Sequence, residues 1–495
     1  MTRASVTETV DFGGQAQGDS HGNLWNSDLA PVDQSQRTWG WHNIAGLWVA
    51  MVVCVPAYML AASLVPAGMA WWQAVLTVLL GNLIVLIPML LIGHAGTKHG
   101  IPFPVLLRAS FGTSGAKVAA MMRGLVGCGW FGIQTWVGGS AIYVILNIMT
   151  GNALVGDPLP GLGIDLAQFL SFMACWAMHV YFIAKGTESI RWLETYAAPF
   201  LIAISLALLV WAVVKAGGFG PMLATPSQFV EGGAREGQFW KVFWPGLTAM
   251  VGFWATLALN IPDFTRFAKN QRQQFIGQIV GLPIPMALLA FIAVGVASAT
   301  VVIYGEALWD PVAITKNMGG VAVVIALIAL VIATVTTNLA ANVVAPANGF
   351  SNLNPSKISF KMGGYITAGL GIAIMPWKLL ETTGAYIFTW LLGYSALLGP
   401  LAGIMLIDYF VIRKTNLDTK ALFRNDGEYS YGNGWNAAAF IAFFVAVLPN
   451  LPGFLVAAGA LGGAPAFFIA IYDYAWFVGL AVAAMLYLTL MRAKA

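Results

Sequence analysis

Residues 41–65 read WHNIAGLWVAMVVCVPAYMLAASLV. The stretch holds no Asp, Glu, Lys or Arg. It is long enough to cross a bilayer as a helix, which takes about 20 mainly apolar residues. Its middle carries Val53-Cys54-Val55-Pro56. Proline removes a backbone donor and clashes with the preceding turn, so the helix is expected to break there. A span interrupted at its centre is a building block of many secondary-transporter folds.

Working outward, the whole chain has the same character. Of its 495 residues, 59% are hydrophobic and only 9% are charged, and mean hydropathy is +0.77. A water-soluble domain carries roughly 25% charged residues, so this chain could not cover itself in water. Eleven further stretches pass the same length test: 70–94, 115–148, 165–184, 193–216, 239–262, 277–303, 319–349, 362–378, 384–411, 435–456 and 466–490. Twelve transmembrane helices are therefore expected in an all-α integral membrane protein. Gly and Pro within them are tolerable because neighbouring helices resatisfy the freed backbone groups.

The basic residues test that count. With the N-terminus inside, 19 of the 24 Lys and Arg fall on the cytoplasmic side. Lys215, Arg235, Lys241, Lys316 and Lys378 remain outside. This asymmetry is the positive-inside pattern, and it places both termini in the cytoplasm of a cell (inner) membrane. Residues 1–38 are polar and lack the apolar core of a signal peptide. They are expected to form a mobile cytoplasmic tail. Segment 100–112 is short and Pro-rich, and should cap the ends of the second and third spans. The net charge of +4 gives no footprint for nucleic acid. Cys54, Cys128 and Cys175 lie in apolar runs without CxxC spacing, so neither a disulfide framework nor a zinc site is expected.

A repeat is visible in the polar punctuation. The sixth span carries Val251-Gly252-Phe253-Trp254 at its middle, between Pro245 and Pro262. It sits about 200 residues from the first-span break, and the polar midpoints Gln134 and Thr336 have about the same offset. Five spans separate the pairs, and five is odd, so the second copy is inverted. This divides the chain into residues 39–215 (spans one to five), 239–411 (spans six to ten) and 435–490 (two further helices). An interruption is thus expected in the sixth span as well as the first.

Polar side chains at membrane depth mark a pathway or site. Trp130 and Gln134 share a face of the third span. Phe253 and Trp254 sit at the middle of the sixth. Thr336, Thr337, Asn338 and Asn342 cluster on the eighth. The set offers amides and aromatic rings but no charge. An amide sets a donor beside an acceptor, matching the edge of a lactam or pyrimidine. Flat rings stack on Trp or Phe. Such a site suits a small neutral heterocycle. The two Thr hydroxyls, with carbonyls freed at the first break, could supply neutral oxygens to Na⁺.

The stretches GMAWWQA (68–74), PFPVLLRASFG (102–112), GCGWFGIQTWVGG (127–139), FWATLALNIPDFTRFAKNQ (253–271), TTNLAANVVAPAN (336–348) and GYSALLGPLAGI (393–404) resemble the nucleobase:cation symporter-1 family. Its members carry cytosine, uracil, purines, allantoin and hydantoins. The middle motifs are most similar to the branch of the plant plastid nucleobase transporter. The resemblance implies a LeuT-type five-plus-five fold with two extra helices, and cation-coupled symport by alternating access. It implies stacking by Trp130 and Trp254, hydrogen bonds from Gln134 and Asn342, and Phe253 lining the site. It further implies Na⁺ ligands at the carbonyls of Ala50, Val53 and Ala333 and the hydroxyls of Thr336 and Thr337. Two positions depart from the hydantoin branch, which has Gln where this chain has Cys54 and Gly where it has Phe253. Uracil is therefore the first expected substrate, with allantoin, hydantoin or a purine as alternatives. Asn338 joins the expected substrate set by its place beside Asn342. H⁺ is the alternative coupling ion, with Asp263, Glu194, His42 and His179 as its titratable candidates. No cofactor is expected. A membrane enzyme is the rival of another class, but His94 and His99 stand at a helix end without a carboxylate. A channel would show a repeated filter, and none is present in the sequence.

Overall fold

The computed structural model describes residues 24–185, 187–316, 321–382 and 385–493. Residues 1–23 of the expected tail and the side chain of Glu194 lie outside the described part.

Helix α1 (Trp41–Val52) and helix α2 (Val55–Ser63) are the halves of one broken span, and their axes meet at 62°. Cys54 between them is extended, with φ −133° and ψ 151°. Its N–H donates to Val52 O at 2.7 Å. Helical register would direct that N–H to Ala50 O, so the break releases the Ala50 carbonyl. Pro56 falls in the first turn of α2, where a missing donor costs nothing.

The remaining long helices are α3 (Trp71–His99), α4 (Phe103–Phe111), α5 (Gly115–Thr150), α6 (Leu166–Lys185), α7 (Thr187–Lys215), α8 (Phe239–Asn260), α9 (Gln271–Tyr304), α10 (Ala322–Leu353), α11 (Phe360–Ala373), α12 (Ala385–Ile412), α13 (Ala437–Ala457) and α14 (Ala475–Arg492). Among the described residues nine of these are long and apolar enough to cross a membrane unbroken, and the α1/α2 pair makes a tenth span. Helices α7 and α11 occupy the two other expected positions. Helix α11 has only 14 residues, because Met375 takes φ 52° and Pro376 starts a separate turn. Leu76, Leu80, Leu83, Ile87 and Leu91 form one exposed stripe along α3, an apolar face that matches lipid rather than water.

The helices form two packed groups. One contains α1/α2, α3, α8 and α9; the other contains α5, α6, α10 and α11; the two groups touch each other sparsely. Close crossings use glycine. A Cβ on Gly132 of α5 would lie 2.5 Å from Gly371 O of α11. Helix α4, the expected cap, is buried throughout across the ends of α3 and α5. Its Arg108 donates to Leu422 O (3.1 Å), Leu24 O (2.9 Å) and Asn352 Oδ1 (2.7 Å), and lies over the Phe423 ring. Burial without a carboxylate partner brings this guanidinium down to about 9.

Two expectations are corrected here. The polar N-terminal segment is anchored from residue 24 onward rather than free. Leu24, Leu29 and Val32 are buried, Asn26 Nδ2 donates to Ser351 Oγ and Pro355 O, and Asp28 accepts from Phe360 N and, through its carbonyl, from Arg266. Its polar side chains serve backbone groups at helix ends, which composition alone reads as solvation. The sixth span is also unbroken: α8 runs continuously through Gly252. Gly252 serves packing instead, since a Cβ there would lie 1.9 Å from Ser395 Oγ of α12. The helix stops only at Asn260, two residues before Pro262.

Candidate functional site

Helices α1/α2, α5, α8 and α10 meet around a small cavity at membrane depth. It is lined by Cys54 and Met51 at the broken span, Trp130 and Gln134 of α5, Phe253, Trp254, Thr256 and Leu257 of α8, and Thr337, Ala341 and Asn342 of α10. Every lining residue is uncharged. Its volume of about 20 Å³ has room for one or two waters. Aromatic rings account for the tightness. Phe253 lies edge-on to Trp130 with centroids 5.1 Å apart and to Trp254 at 4.9 Å. Trp48 supports Trp254 from behind at 5.4 Å. A planar ligand stacking here must displace the Phe253 ring.

The polar atoms are poised for a guest. Gln134 Oε1 and Trp254 Nε1 are buried without a hydrogen-bond partner. Gln134 and Trp254 thus offer an acceptor and a donor that a ligand in the cavity can engage. Asn342 Nδ2 donates to Asn338 Oδ1 at 3.0 Å. Asn338 itself does not line the cavity. Its Nδ2 contacts Phe131 O (3.0 Å), Thr135 Oγ1 (3.3 Å) and His179 Nε2 (3.0 Å). The structure thus moves Asn338 from the expected ligand set to the support behind it, because its amide is fully used between helices.

Of the expected cation ligands, Thr337 and Ala50 are in direct contact. Thr337 Oγ1 donates to the released Ala50 carbonyl at 3.3 Å, joining α10 to the break. Thr336 Oγ1 back-bonds to Ile332 O (2.9 Å) and Ala333 O (3.0 Å). Val53 and Ala333 both line a second, larger cavity of about 70 Å³ behind the break. That cavity is lined mainly by apolar side chains of the broken span, α7 and α10, whereas the smaller one gathers the amides and indoles. Converging polar groups identify the smaller as the candidate site. The donor set beside it, carbonyls and hydroxyls without a carboxylate, fits a monovalent hard cation.

Of the titratable candidates, His42, His179 and Asp263 do not line the cavity. His42 is exposed and His179 is buried behind Asn338. Asp263 is buried below α8, accepting from Phe103 N (2.9 Å) and Asn260 Nδ2 (3.3 Å). Burial lifts its carboxyl to about 6 against the pull of Arg266. No group of three or more His, Cys, Asp or Glu able to hold a metal occurs among the described residues, and the three cysteines are free.

Several neighbours were not singled out from sequence. Tyr386, Trp390 and Tyr394 of α12 pack edge-on around Trp130, with centroids 6.2, 5.8 and 6.2 Å away. Their i, i+4, i+8 spacing is a legible aromatic stripe. Arg123 lies two turns before Trp130 and bonds to the backbone of two lining residues, Thr256 and Ala341. It donates to Thr256 O (2.7 Å), Asn260 Oδ1 (3.1 Å) and Ala341 O (3.4 Å). It ties α5 and α10 to α8 across the seam between the two helix groups.

A broken span, an uncharged aromatic–amide cavity and an adjoining oxygen cluster define a polytopic membrane permease. The profile of permeases for cytosine/purines, uracil, thiamine and allantoin matches residues 31–479, and the chain belongs to that family. It is 45% identical to the purine-uracil permease NCS1 of Arabidopsis thaliana over 94% of this chain and 78% of that one. It is 40% identical to the allantoin permease of Bacillus subtilis over 95% and 93%. The inward-facing conformation of Mhp1 superposes with a TM-score of 0.77 at 27% identity, covering 95% of this chain and 94% of that one. A closed Mhp1 with bromovinylhydantoin bound, described as a nucleobase-cation-symport-1 family transporter, gives 0.76 at 27%, covering 95% and 96%. The fold is accordingly of the LeuT type, and the protein is a transporter rather than an enzyme.

Proposed function

We propose that this protein imports a small neutral nucleobase, uracil first, by symport with Na⁺ through alternating access. The observation that carries this is the contact between Thr337 and the released Ala50 carbonyl, directly beside the uncharged cavity. A cation held there joins the broken span to α10 and fixes the wall that a ring would meet. The ring stacks between Trp130 and Trp254 once Phe253 swings aside, with Gln134 and Asn342 reading its edge. Ligand and ion then bind with reciprocal coupling. The helix group α1/α2, α3, α8 and α9 moves against α5, α6, α10 and α11, whose sparse mutual contacts suit such motion. Twelve spans, repeats at 39–215 and 239–411, two further helices at 435–490, and both termini in the cytoplasm complete this reading. Na⁺ is favoured over H⁺ because His42, His179 and Asp263 do not line the cavity and no carboxylate does. The likeness to the Bacillus subtilis protein supports allantoin as the second substrate.

The test is uptake of labelled uracil into proteoliposomes under an imposed Na⁺ or pH gradient. Na⁺-driven accumulation above equilibrium is expected. Uptake indifferent to both gradients would contradict symport, and allantoin outcompeting uracil would reassign the substrate.

A further inference from the structure

The hydrogen bonds behind the cavity fix which way one site amide points. Cys175 O can only accept, so His179 Nδ1, 2.8 Å away, carries the proton. The Thr334 carbonyl also faces the ring; in the neutral form with the proton on Nδ1, Nε2 accepts, and Asn338 Nδ2 stands 3.0 Å from it. The same Nδ2 faces Phe131 O at 3.0 Å, another pure acceptor. Thr135 spends its hydroxyl proton on Phe131 O, so it too accepts from Asn338. Three acceptors on one side leave Asn338 a single orientation, with Oδ1 toward α10's next turn. That oxygen accepts from Asn342 Nδ2. Asn342 lines the cavity, and with Nδ2 committed its Oδ1 is the end left for a ligand. Nothing comparable holds Gln134, whose Oε1 is unpartnered. An amide without such pins can rotate to suit its ligand.

We propose that Asn338, braced by His179 and the Phe131 carbonyl, is a positioning residue that locks Asn342 as a hydrogen-bond acceptor and makes the site select rings with an N–H at that edge. Gln134 is the adaptable partner and Asn342 the discriminating one. A lactam or imide edge satisfies the locked oxygen. A ring nitrogen that only accepts leaves two lone pairs facing each other, with one buried acceptor unpaired, which is the costly outcome. The inference rests on the neutral-heterocycle reading of the cavity.

Two measurements test it. The first needs no substrate: ¹⁵N NMR of histidine-labelled protein, with His179→Gln locating the signal. A neutral Nδ1–H tautomer at His179 is expected, and an Nε2–H tautomer overturns the proposal. The second is competition binding. Uracil against cytosine probes the N3 edge, and uracil against 1-methyluracil the N1 edge. Wild type is expected to prefer uracil in at least one pair. Asn338→Leu frees Asn342 and should lower that ratio about tenfold, the worth of one oriented hydrogen bond. His179→Phe removes one brace and should lower the ratio less; it serves if Asn338→Leu does not fold. Equal loss for both members of each pair, or an unchanged ratio in folded Asn338→Leu, overturns the proposal. Binding of none of these rings by wild type would refute the substrate reading, while the tautomer would still decide the orientation.

Discussion

At the scale of single residues, the cavity is governed by what fills it. Phe253 stands edge-on to both indoles, so it competes with any ring that stacks there. Phe253→Gly should open the site to bulkier rings. Binding of a 5-substituted hydantoin relative to uracil is expected to rise about tenfold, as pocket volume allows. An unchanged ratio in competition assays would show that Phe253 does not set the size limit. Trp130→Ala should weaken uracil binding about tenfold or more through lost stacking, measured by thermal shift or scintillation proximity. The residue types of the site were legible in the sequence, since Trp130, Gln134, Phe253, Trp254 and Asn342 do meet in one cavity. Asn338 was not separable from Asn342, because residues four apart share a helix face. Only the neighbours on α5 and α6 show which amide is spent internally. Arg123 was counted with the cytoplasmic charges, yet it is buried two turns inside α5. Two of its three partners are backbone carbonyls of α8 and α10, which no side-chain pattern reveals.

At the scale of elements, proline and glycine gave opposite lessons. Pro56 broke its span as expected and starts the second half, whereas Pro88 and Pro245 sit inside α3 and α8 without ending them. Gly252 merely permits a break, and close packing on α12 kept its helix whole. The turn that follows α8 carries a testable charge. Asp263 Oδ1 receives the Phe103 N–H at the start of α4 and so joins the end of α8 to the cap. Its carboxyl is raised from 3.8 to about 6 by burial, so the folded protein holds that proton more tightly than the unfolded chain. This contribution is greatest at or below about pH 4 and is lost as pH rises to about 6, above which it stays constant. Asp263→Asn should flatten the decline in thermal stability between those values relative to wild type. Parallel melting curves from pH 4 to 6 for both proteins would contradict the assignment.

At the scale of the whole molecule, membrane class and span positions followed from composition, because apolar length is dictated by the bilayer. The anchored N-terminal segment did not, since Asn26 and Asp28 bond to helix ends remote in sequence. What makes the molecule a coupled machine is the seam between its two helix groups. Near the cavity the seam is crossed by Thr337 with Ala50 above and by Arg123 with Thr256 and Asn260 below. The upper link sits where a cation would bridge the broken span to α10. The most direct test is therefore uracil affinity measured with and without Na⁺ in wild type and in Thr337→Ala. Saturating Na⁺ should tighten wild-type binding by about fivefold or more, the usual lower range of such coupling, and Thr337→Ala should lose that gain. Wild-type affinity that is the same in the presence and absence of Na⁺ would contradict the account.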